Sequence, residues 1–288
     1  MTSLIDAASL EALLGAPGLV VVDCRFDLAA PEAGRRAYLQ GHIPGARYAD
    51  LNRDLSGPIT PHTGRHPLPS PERLLAKLHS LEITADSRIV VYDGASGAFA
   101  ARFWWLARWL GLSKVAVLDG GLSAWLARGG ALEPGEPATA SAAAATASAA
   151  PRRAVDEAWL TTEQVAAAVS AGRSVLVDAR APERYSGAAE PLDPVAGHVP
   201  SARNYPFTAN LQADGRFLPP AELRRRWLEF LGPTDSKDVI SMCGSGVTAC
   251  HNLLALELAG LPGGKLYAGS RSEWIRDPAR GVATGAAP

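Results

Sequence analysis

The sequence predicts an α/β protein made of two tandem domains, each a parallel β-sheet with helices on both faces. Internal duplication is the first observation. Leu19-Val-Val-Val-Asp23-Cys-Arg25 matches Val175-Leu-Val-Asp178-Ala-Arg180, and Gly41-His-Ile-Pro-Gly-Ala-Arg47 matches Gly197-His-Val-Pro-Ser-Ala-Arg203. The step from Asp23 to His42 is 19 residues and that from Asp178 to His198 is 20, so the spacing repeats with the strings. The second observation is the alternation, within each copy, of short apolar strand-like runs with helical patterns, which is the mark of a parallel sheet. The third is length, since 288 residues suffice for two ordinary cores.

Each element has its own signal. In the first copy the helical patterns are Leu10 to Leu14, Pro71 to Leu78 and Phe103 to Leu110. In the second they are Thr162 to Val169, Pro220 to Phe230 and Ala249 to Leu258. Thr161 or Thr162 before Glu163 reads as a helix start, and Pro71 suits a first helical position. Trp104, Trp105, Trp125 and Trp274 read as core or helix-packing residues. The first domain is expected over residues 1–132 and the second over 155–288. Residues 133–154, rich in Ala, Ser, Thr and Pro without an apolar face, read as an exposed linker. The tail from Asp277 to Pro288 is small-residue rich and expected to fray.

Composition narrows the function. A net charge of −1 provides no global field for nucleic acid or an anionic membrane surface. No apolar run approaches the ~20 residues that span a bilayer. The segment from Met1 to Leu14 lacks the basic start of a secretory signal, and a cytoplasmic location is expected. Three cysteines without regular spacing make neither a disulfide framework nor a zinc site, so no metal and no cofactor is expected.

One cysteine stands apart. The apolar run Val239-Ile-Ser-Met242 ends in Cys243, small residues follow, and a helical pattern then begins. A thiol at a strand-to-helix turn faces backbone N–H groups and the positive end of a helix dipole, which suits an anionic sulfur. On this reading the loop Gly244, Ser245, Gly246, Val247, Thr248 holds an anion without a cationic side chain. A cysteine phosphatase needs an arginine six positions after its cysteine to clamp phosphate, and that position is Ala249. A sulfur carrier needs only the nucleophile and a nest for the persulfide anion. Cys24, in a strand, and Cys250, on the following helix, read as core thiols. In the first copy the matching position is Asp93, a poor sulfur nucleophile, so that copy is expected to be catalytically silent.

The string Cys243-Gly-Ser-Gly-Val-Thr248 resembles the active-site loop of the 3-mercaptopyruvate sulfurtransferases, within the rhodanese superfamily, and the resemblance extends over nearly the whole chain. Thiosulfate-preferring rhodaneses usually carry Arg and Lys where this chain has Gly244 and Ser245. The resemblance implies two rhodanese-like domains and transfer of sulfur from a small anionic donor through a Cys243 persulfide. The acceptors it implies are cyanide in an assay, thioredoxin or another thiol in the cell. It also implies that Arg184 holds the donor carboxylate, that Ser245 and His66 belong to a serine–histidine–aspartate relay, and that the aspartate position falls on Asn52, between Asp50 and Asp54. His66 lies in Gly64-Arg65-His66-Pro67-Leu68-Pro69, a Pro/Gly-rich loop of the first domain on this reading. The stretch Glu190 to Ala196, where some relatives carry a second substrate arginine, has none. Neutral Gly244 and Ser245 favour mercaptopyruvate over dianionic thiosulfate. A sulfur-relay module with little turnover of small donors is the alternative from another class. Asp23–Arg25 and Asp178–Arg180, present in both copies, are expected to pair and fix loops, with His42 and His198 bonded to backbone carbonyls.

Overall fold

The computed structural model describes residues 2–136 and 157–288. Most of the expected linker, 137–154, lies outside the described residues. The described chain forms two compact units. One holds residues up to 57, 69–136 and 213–216, and the other holds 58–68, 157–212 and 217–288.

In the first unit the order is β1 (Leu4–Ile5), α1 (Ala7–Leu13), β2 (Leu19–Asp23), α2 (Ala33–Gln40), β3 (Arg47–Tyr48), α3 (Pro71–Ser80), β4 (Arg88–Tyr92), α4 (Ala100–Trp109), β5 (Val115–Leu118) and α5 (Gly121–Ala127). Its strands form one parallel sheet in the order β1-β5-β4-β2-β3. Alternate residues of β2 and β4 face opposite ways. Val21, Val90 and Tyr92 pack with Leu10 of α1 and Trp125 of α5, while α4 covers β4 and β5.

The second unit runs β6 (Trp159–Leu160), α6 (Thr162–Ser170), β7 (Val175–Asp178), α7 (Pro182–Ser186), β8 (Arg203–Asn204), α8 (Pro220–Leu231), β9 (Val239–Met242), α9 (Thr248–Leu258), β10 (Lys265–Tyr267) and α10 (Ser270–Trp274). Its sheet order, β6-β10-β9-β7-β8, repeats that of the first unit, again all parallel. Leu176, Ile240, Met242 and Tyr267 pack with Val165 of α6 and Trp274 of α10, and α9 lies on β9 and β10. The register repeats too: Asp23 pairs with Tyr92, and Asp178 pairs with Met242. Asp93 and Cys243 therefore leave the carboxyl ends of equivalent central strands, where open α/β sheets place their ligand sites.

Helix starts follow their capping residues. Asp6 accepts the Ser9 N–H at 2.7 Å, and Ser70 accepts that of Arg73 at 3.2 Å with Pro71 in the first turn. Thr161 caps α6, and its capping box closes with Gln164 rather than with Glu163. Helix α2, Ala-Gly-Arg-Arg-Ala-Tyr-Leu-Gln, starts without a side-chain cap and is not among the helical patterns read from the sequence. Gly34 is required there, since a Cβ would lie 2.0 Å from the Arg25 carbonyl oxygen.

The expectation of a frayed tail is corrected. The tail is tied down: His198 and Ala283 exchange backbone hydrogen bonds of 2.8 and 2.9 Å, and the Gly285 N–H reaches the Ser186 carbonyl at 2.8 Å. Gly197, at φ +106°, is needed for this approach, because a Cβ would sit 2.2 Å from the Ala283 oxygen. Glu133, placed in the linker from sequence, pairs in the same manner with His42 of the first unit, at 3.0 and 2.9 Å. In the tail, backbone pairing wins over the weak propensities of small residues.

The duplicated Asp-Arg pairs are present in both units. Arg180 Nη2 donates to Asp178 Oδ2 at 2.7 Å and to the Gly197 carbonyl at 2.8 Å, and Arg25 Nη2 makes the matching contacts to Asp23 and Gly41 at 2.6 and 2.7 Å. His42 and His198 each place Nδ1 2.9 Å from a backbone carbonyl, that of Tyr38 and Tyr185, and stack on those tyrosine rings. Asp178 and Arg180 are both buried, so removing the Asp178 charge takes from Arg180 its bidentate partner and leaves it the 3.2 Å ion pair to Glu190. Asp178→Asn is expected to lower the unfolding free energy by about 3 kcal/mol or more. A urea titration checks this, and a loss below about 1 kcal/mol would make the pair incidental.

Candidate active site

The second unit builds a single constellation around Cys243. Strand β9 delivers the residue, the loop 244–247 turns the chain, and α9 begins at Thr248. The Cys243 side of the loop is almost wholly buried, at 2 % exposure. Its N–H donates to Ser270 Oγ at 3.0 Å, its carbonyl accepts from Arg271 at 3.0 Å, and the Gly244 carbonyl accepts from Ser272 at 2.9 Å. The segment entering α10 thus fixes the loop from one side. On the other side the Gly246 N–H points at Cys243 Sγ, 3.2 Å away. Gly246 adopts φ +79°, and a Cβ there would lie 2.4 Å from the Ala268 carbonyl oxygen, so this position admits only glycine. Cys250 Sγ donates to the Gly246 carbonyl at 3.3 Å from the first turn of α9, a buried structural contact.

Ser245 and His66 come together: Oγ lies 2.7 Å from Nδ1, with both residues buried. The segment around His66 groups with the second unit, not with the first as its sequence position implied. Its anchors explain this. The Gly64 N–H donates to Glu273 Oε2 at 3.2 Å, the Arg65 N–H to Ser272 Oγ at 3.0 Å, and Arg276 Nε to the Thr63 carbonyl at 3.2 Å. A Cβ on Gly64 would stand 2.6 Å from the Gly269 oxygen, so the two stretches lie against each other. Asp54, a candidate for the relay, pairs with Lys77 at 3.0 Å and accepts the Asp50 N–H at 2.8 Å. Asn52 donates its own N–H to Asp50 Oδ1 at 2.8 Å.

Arg184, on the short helix α7, is held by Glu190 through Nε at 3.1 Å and Nη2 at 2.6 Å. Glu190 also accepts from Arg180 Nη1 at 3.2 Å and from the N–H groups of Leu192 and Asp193. Burial pushes the Glu190 carboxyl up, but the Arg184 hydrogen bond, the backbone donors and the Arg184 charge outweigh it and hold it below the usual range. For Arg180, burial works against the charge, yet Asp178 and Glu190 hold it more firmly protonated than usual. Beneath the same stretch Arg271 is fully buried and donates to the carbonyls of Val195, Ala196 and Gly197. Burial, with the neighbouring Arg180 charge, pushes the Arg271 guanidinium down.

Sequence reasoning missed two members of this site. Arg65 ion-pairs with the buried Asp193, which also stands 3.5 Å from Arg184. A Cβ built on Gly244 would meet Arg65 Nη2 at 2.8 Å and Arg184 Nη1 and Nη2 at 3.5 and 3.6 Å. The loop itself carries no cationic side chain, but two guanidinium groups flank Gly244 from outside it. The available signal was Arg65 itself, adjacent to His66; its partner Asp193 is 128 residues away.

The matching position in the first unit carries a different solution. The Asp93 carboxylate accepts N–H groups from Ala95, Gly97, Phe99 and Ala100 at 2.9–3.3 Å. These donors make the anion nest expected at such a turn, filled here by the chain's own carboxylate. Burial raises the Asp93 carboxyl and the four donors pull it back only in part. Cys24 is buried beside Asp23, and burial followed by that charge raises its thiol well above the ordinary range, an inert setting.

Comparison with known proteins agrees with this architecture. The sequence profile of the rhodanese-like domain matches twice, at residues 6–128 and 161–277. The chain is 49 % identical over 286 residues to the "probable 3-mercaptopyruvate sulfurtransferase" of Pseudomonas aeruginosa, covering 98 % of each. It is 40 % identical over 285 residues to the "putative thiosulfate sulfurtransferase SseB" of Mycobacterium tuberculosis, covering 99 % of this chain and 98 % of that one. Among solved structures, SseA from Escherichia coli, a 3-mercaptopyruvate sulfotransferase, superposes with a TM-score of 0.79 at 30 % identity, over 94 % of this chain and all of SseA. With its domain present twice and these relatives matched along nearly its whole length, the chain belongs to the rhodanese family.

Proposed function

We propose that this chain is a sulfurtransferase that takes sulfur from 3-mercaptopyruvate onto Cys243 and passes it to a thiophilic acceptor. The observation that carries the reading is the setting of Cys243: a sulfur at the carboxyl end of β9, contacted by the Gly246 N–H, with the Ser245–His66 pair at its loop and two guanidinium groups beside that loop. The relatives named as mercaptopyruvate and thiosulfate sulfurtransferases support the class of reaction.

In the first half-reaction the Cys243 thiolate attacks the donor sulfur. A sulfur–sulfur bond forms, the sulfur–carbon bond breaks, and its electron pair goes to carbon, giving the enolate of pyruvate. The proton that began on the donor thiol ends on the pyruvate methyl carbon, and Cys243 is left as a persulfide anion. Ser245, hydrogen-bonded to His66 Nδ1, is the group placed to relay that proton. Backbone N–H groups of the 244–248 loop stabilise the persulfide, as the equivalent donors stabilise Asp93. In the second half-reaction an acceptor thiol or cyanide attacks the outer sulfur and regenerates the thiolate, a ping-pong scheme. Thioredoxin, or another protein thiol, is the acceptor of that class proposed for the cell.

A thiosulfate reading has its own support. Arg65 and Arg184 supply positive charge beside Gly244 that the neutral loop itself lacks, and charge favours a dianion. With thiosulfate the attack falls on the sulfane sulfur and sulfite leaves. Comparing kcat/KM for the two donors decides between them, and a stable persulfide with neither donor turned over would instead favour a relay module.

Cys243→Ser is expected to abolish persulfide formation, read by intact mass as the absence of one added sulfur atom after donor treatment. Activity retained in that variant would place the nucleophile elsewhere. Ser245→Ala should lower kcat with mercaptopyruvate on the order of a hundredfold, the scale of a positioned proton relay; an unchanged kcat would remove the pair from the chemistry. Asp93→Cys should not gain a persulfide. The first-unit turn is longer, residues 94–99 against 244–247, and lacks the Val-Thr end of the second.

A further inference from the structure

We propose that Arg65 is a second anion-binding arm of the site, sharing the oxyanion group of a small sulfur donor with Arg184, and that Asp193 is the positioning residue that holds the two arms together. The inference rests on the sulfurtransferase reading for the identity of the donor, but its geometry stands apart from it.

Three observations meet. The first is convergence. One point beside Gly244, where a Cβ would stand, lies 2.8 Å from Arg65 Nη2, 3.5 Å from Arg184 Nη1 and 3.6 Å from Arg184 Nη2. An oxygen placed in this space meets donors from two guanidinium groups at once, and a planar oxyanion suits such forks. The second is unspent donor capacity. Arg65 uses Nη1 on Asp193, and Arg184 uses Nε and Nη2 on Glu190. Among the described residues, Arg65 Nη2 and Arg184 Nη1 have no protein acceptor, and these are two of the three nitrogens that converge above Gly244. The third is the bridge. The Asp193 side chain is 4 % exposed and stands between the two arginines, bonded to Arg65 and 3.5 Å from Arg184. Its Oδ2 faces Arg184 Nη2 at 3.5 Å, an ion pair without a close hydrogen bond, so the carboxylate reaches both guanidinium groups at once.

Glycine at 244 leaves this space open. A side chain there would occupy the space between the arms, so positive charge reaches the loop from Arg65 and Arg184 instead of from the loop itself. Asp193 and Glu190 balance both charges while the space is empty. The 190–197 stretch that carries these acids is latched from below by Arg271 and Arg180. The arms are thereby pre-set, and an incoming anion pays little ordering cost.

Two measurements test this. In Cys243→Ser protein, which cannot turn over, pyruvate binding is followed by titration calorimetry with and without Arg65→Gln. Arg65→Gln should weaken pyruvate on the order of tenfold, the scale of one charge-assisted contact, and Arg65→Lys, which keeps the charge but not the fork, should weaken it less. In the Cys243 protein, Arg65→Gln should raise KM for mercaptopyruvate by a similar factor and leave kcat within about twofold, a split that loss of fold does not produce. Asp193→Asn should raise KM in the same direction. Pyruvate affinity and KM both unchanged in Arg65→Gln overturn the proposal, as does failure of pyruvate to bind the Cys243→Ser protein at all. Donor turnover absent from the unsubstituted enzyme, with Arg65-dependent pyruvate binding intact, would instead sink the sulfurtransferase reading and leave the two-armed site standing.

Discussion

The constraint on which the site depends is the end of a central parallel strand. Where β9 stops, the chain must turn into α9, and the backbone donors left over by that turn have to find an anion or water. Placing a cysteine at this point gives its sulfur a donor at 3.2 Å with no charged side chain in the loop. The turn is not self-supporting. Ser270, Arg271 and Ser272 hold its carbonyl and amide groups, and Gly246 folds beneath the Ala268 carbonyl where no side chain fits. The rigidity of the nucleophile is thus borrowed from the segment that follows β10.

Comparison of the two copies separates architecture from chemistry. Sheet order, register, the buried Asp-Arg pair and the tyrosine-stacked histidine occur in both. What differs is the residue at the turn and what reaches it. Asp93 satisfies its own nest with four backbone donors, so in the first unit the anion is built in and no external one is called for. Cys243 keeps a neutral or singly charged sulfur in the equivalent place and leaves the neighbouring space to an incoming group. One fold therefore holds a closed and an open form of the same turn, distinguished by one side chain and the length of the loop.

The legible parts of this protein were those written in local strings. The repeat exposed the two domains, and the apolar runs with their caps exposed most helices and the central strands. Cys243 was visible because an apolar strand leads into it and a turn and helix follow within a few residues. The pair Ser245–His66 was named only through family resemblance, since 179 residues separate its members. Its placement within the second unit was not legible, because Gly64 and Arg65 are drawn there by Glu273 and Ser272, far along the chain. The tail was misread for a related reason. Its composition argues for fraying, but Ala283 pairs with His198 backbone to backbone, and composition carries no record of such pairing.

Arg65 shows why charge cannot be read from a loop alone. By sequence, Gly244 and Ser245 make the turn neutral, and donor preference was argued from that neutrality. In space, two guanidinium groups stand beside Gly244, their nearest nitrogens 2.8, 3.5 and 3.6 Å from where a Cβ would be. Each arrives with a carboxylate, Asp193 for Arg65 and Glu190 for Arg184, so formal charge is near balance while the local field is not uniform. Burial and the Glu190 charge push the Asp193 carboxyl up against the pull of Arg65 and Arg184. An anion that enters meets Arg65 Nη2 and Arg184 Nη1, the nitrogens these carboxylates leave uncommitted, and selectivity among donors is then set by fit to two forks as well as by charge. A small keto acid and thiosulfate differ in both respects, and the chain discriminates between them, on this account, through residues that lie outside the loop bearing its nucleophile.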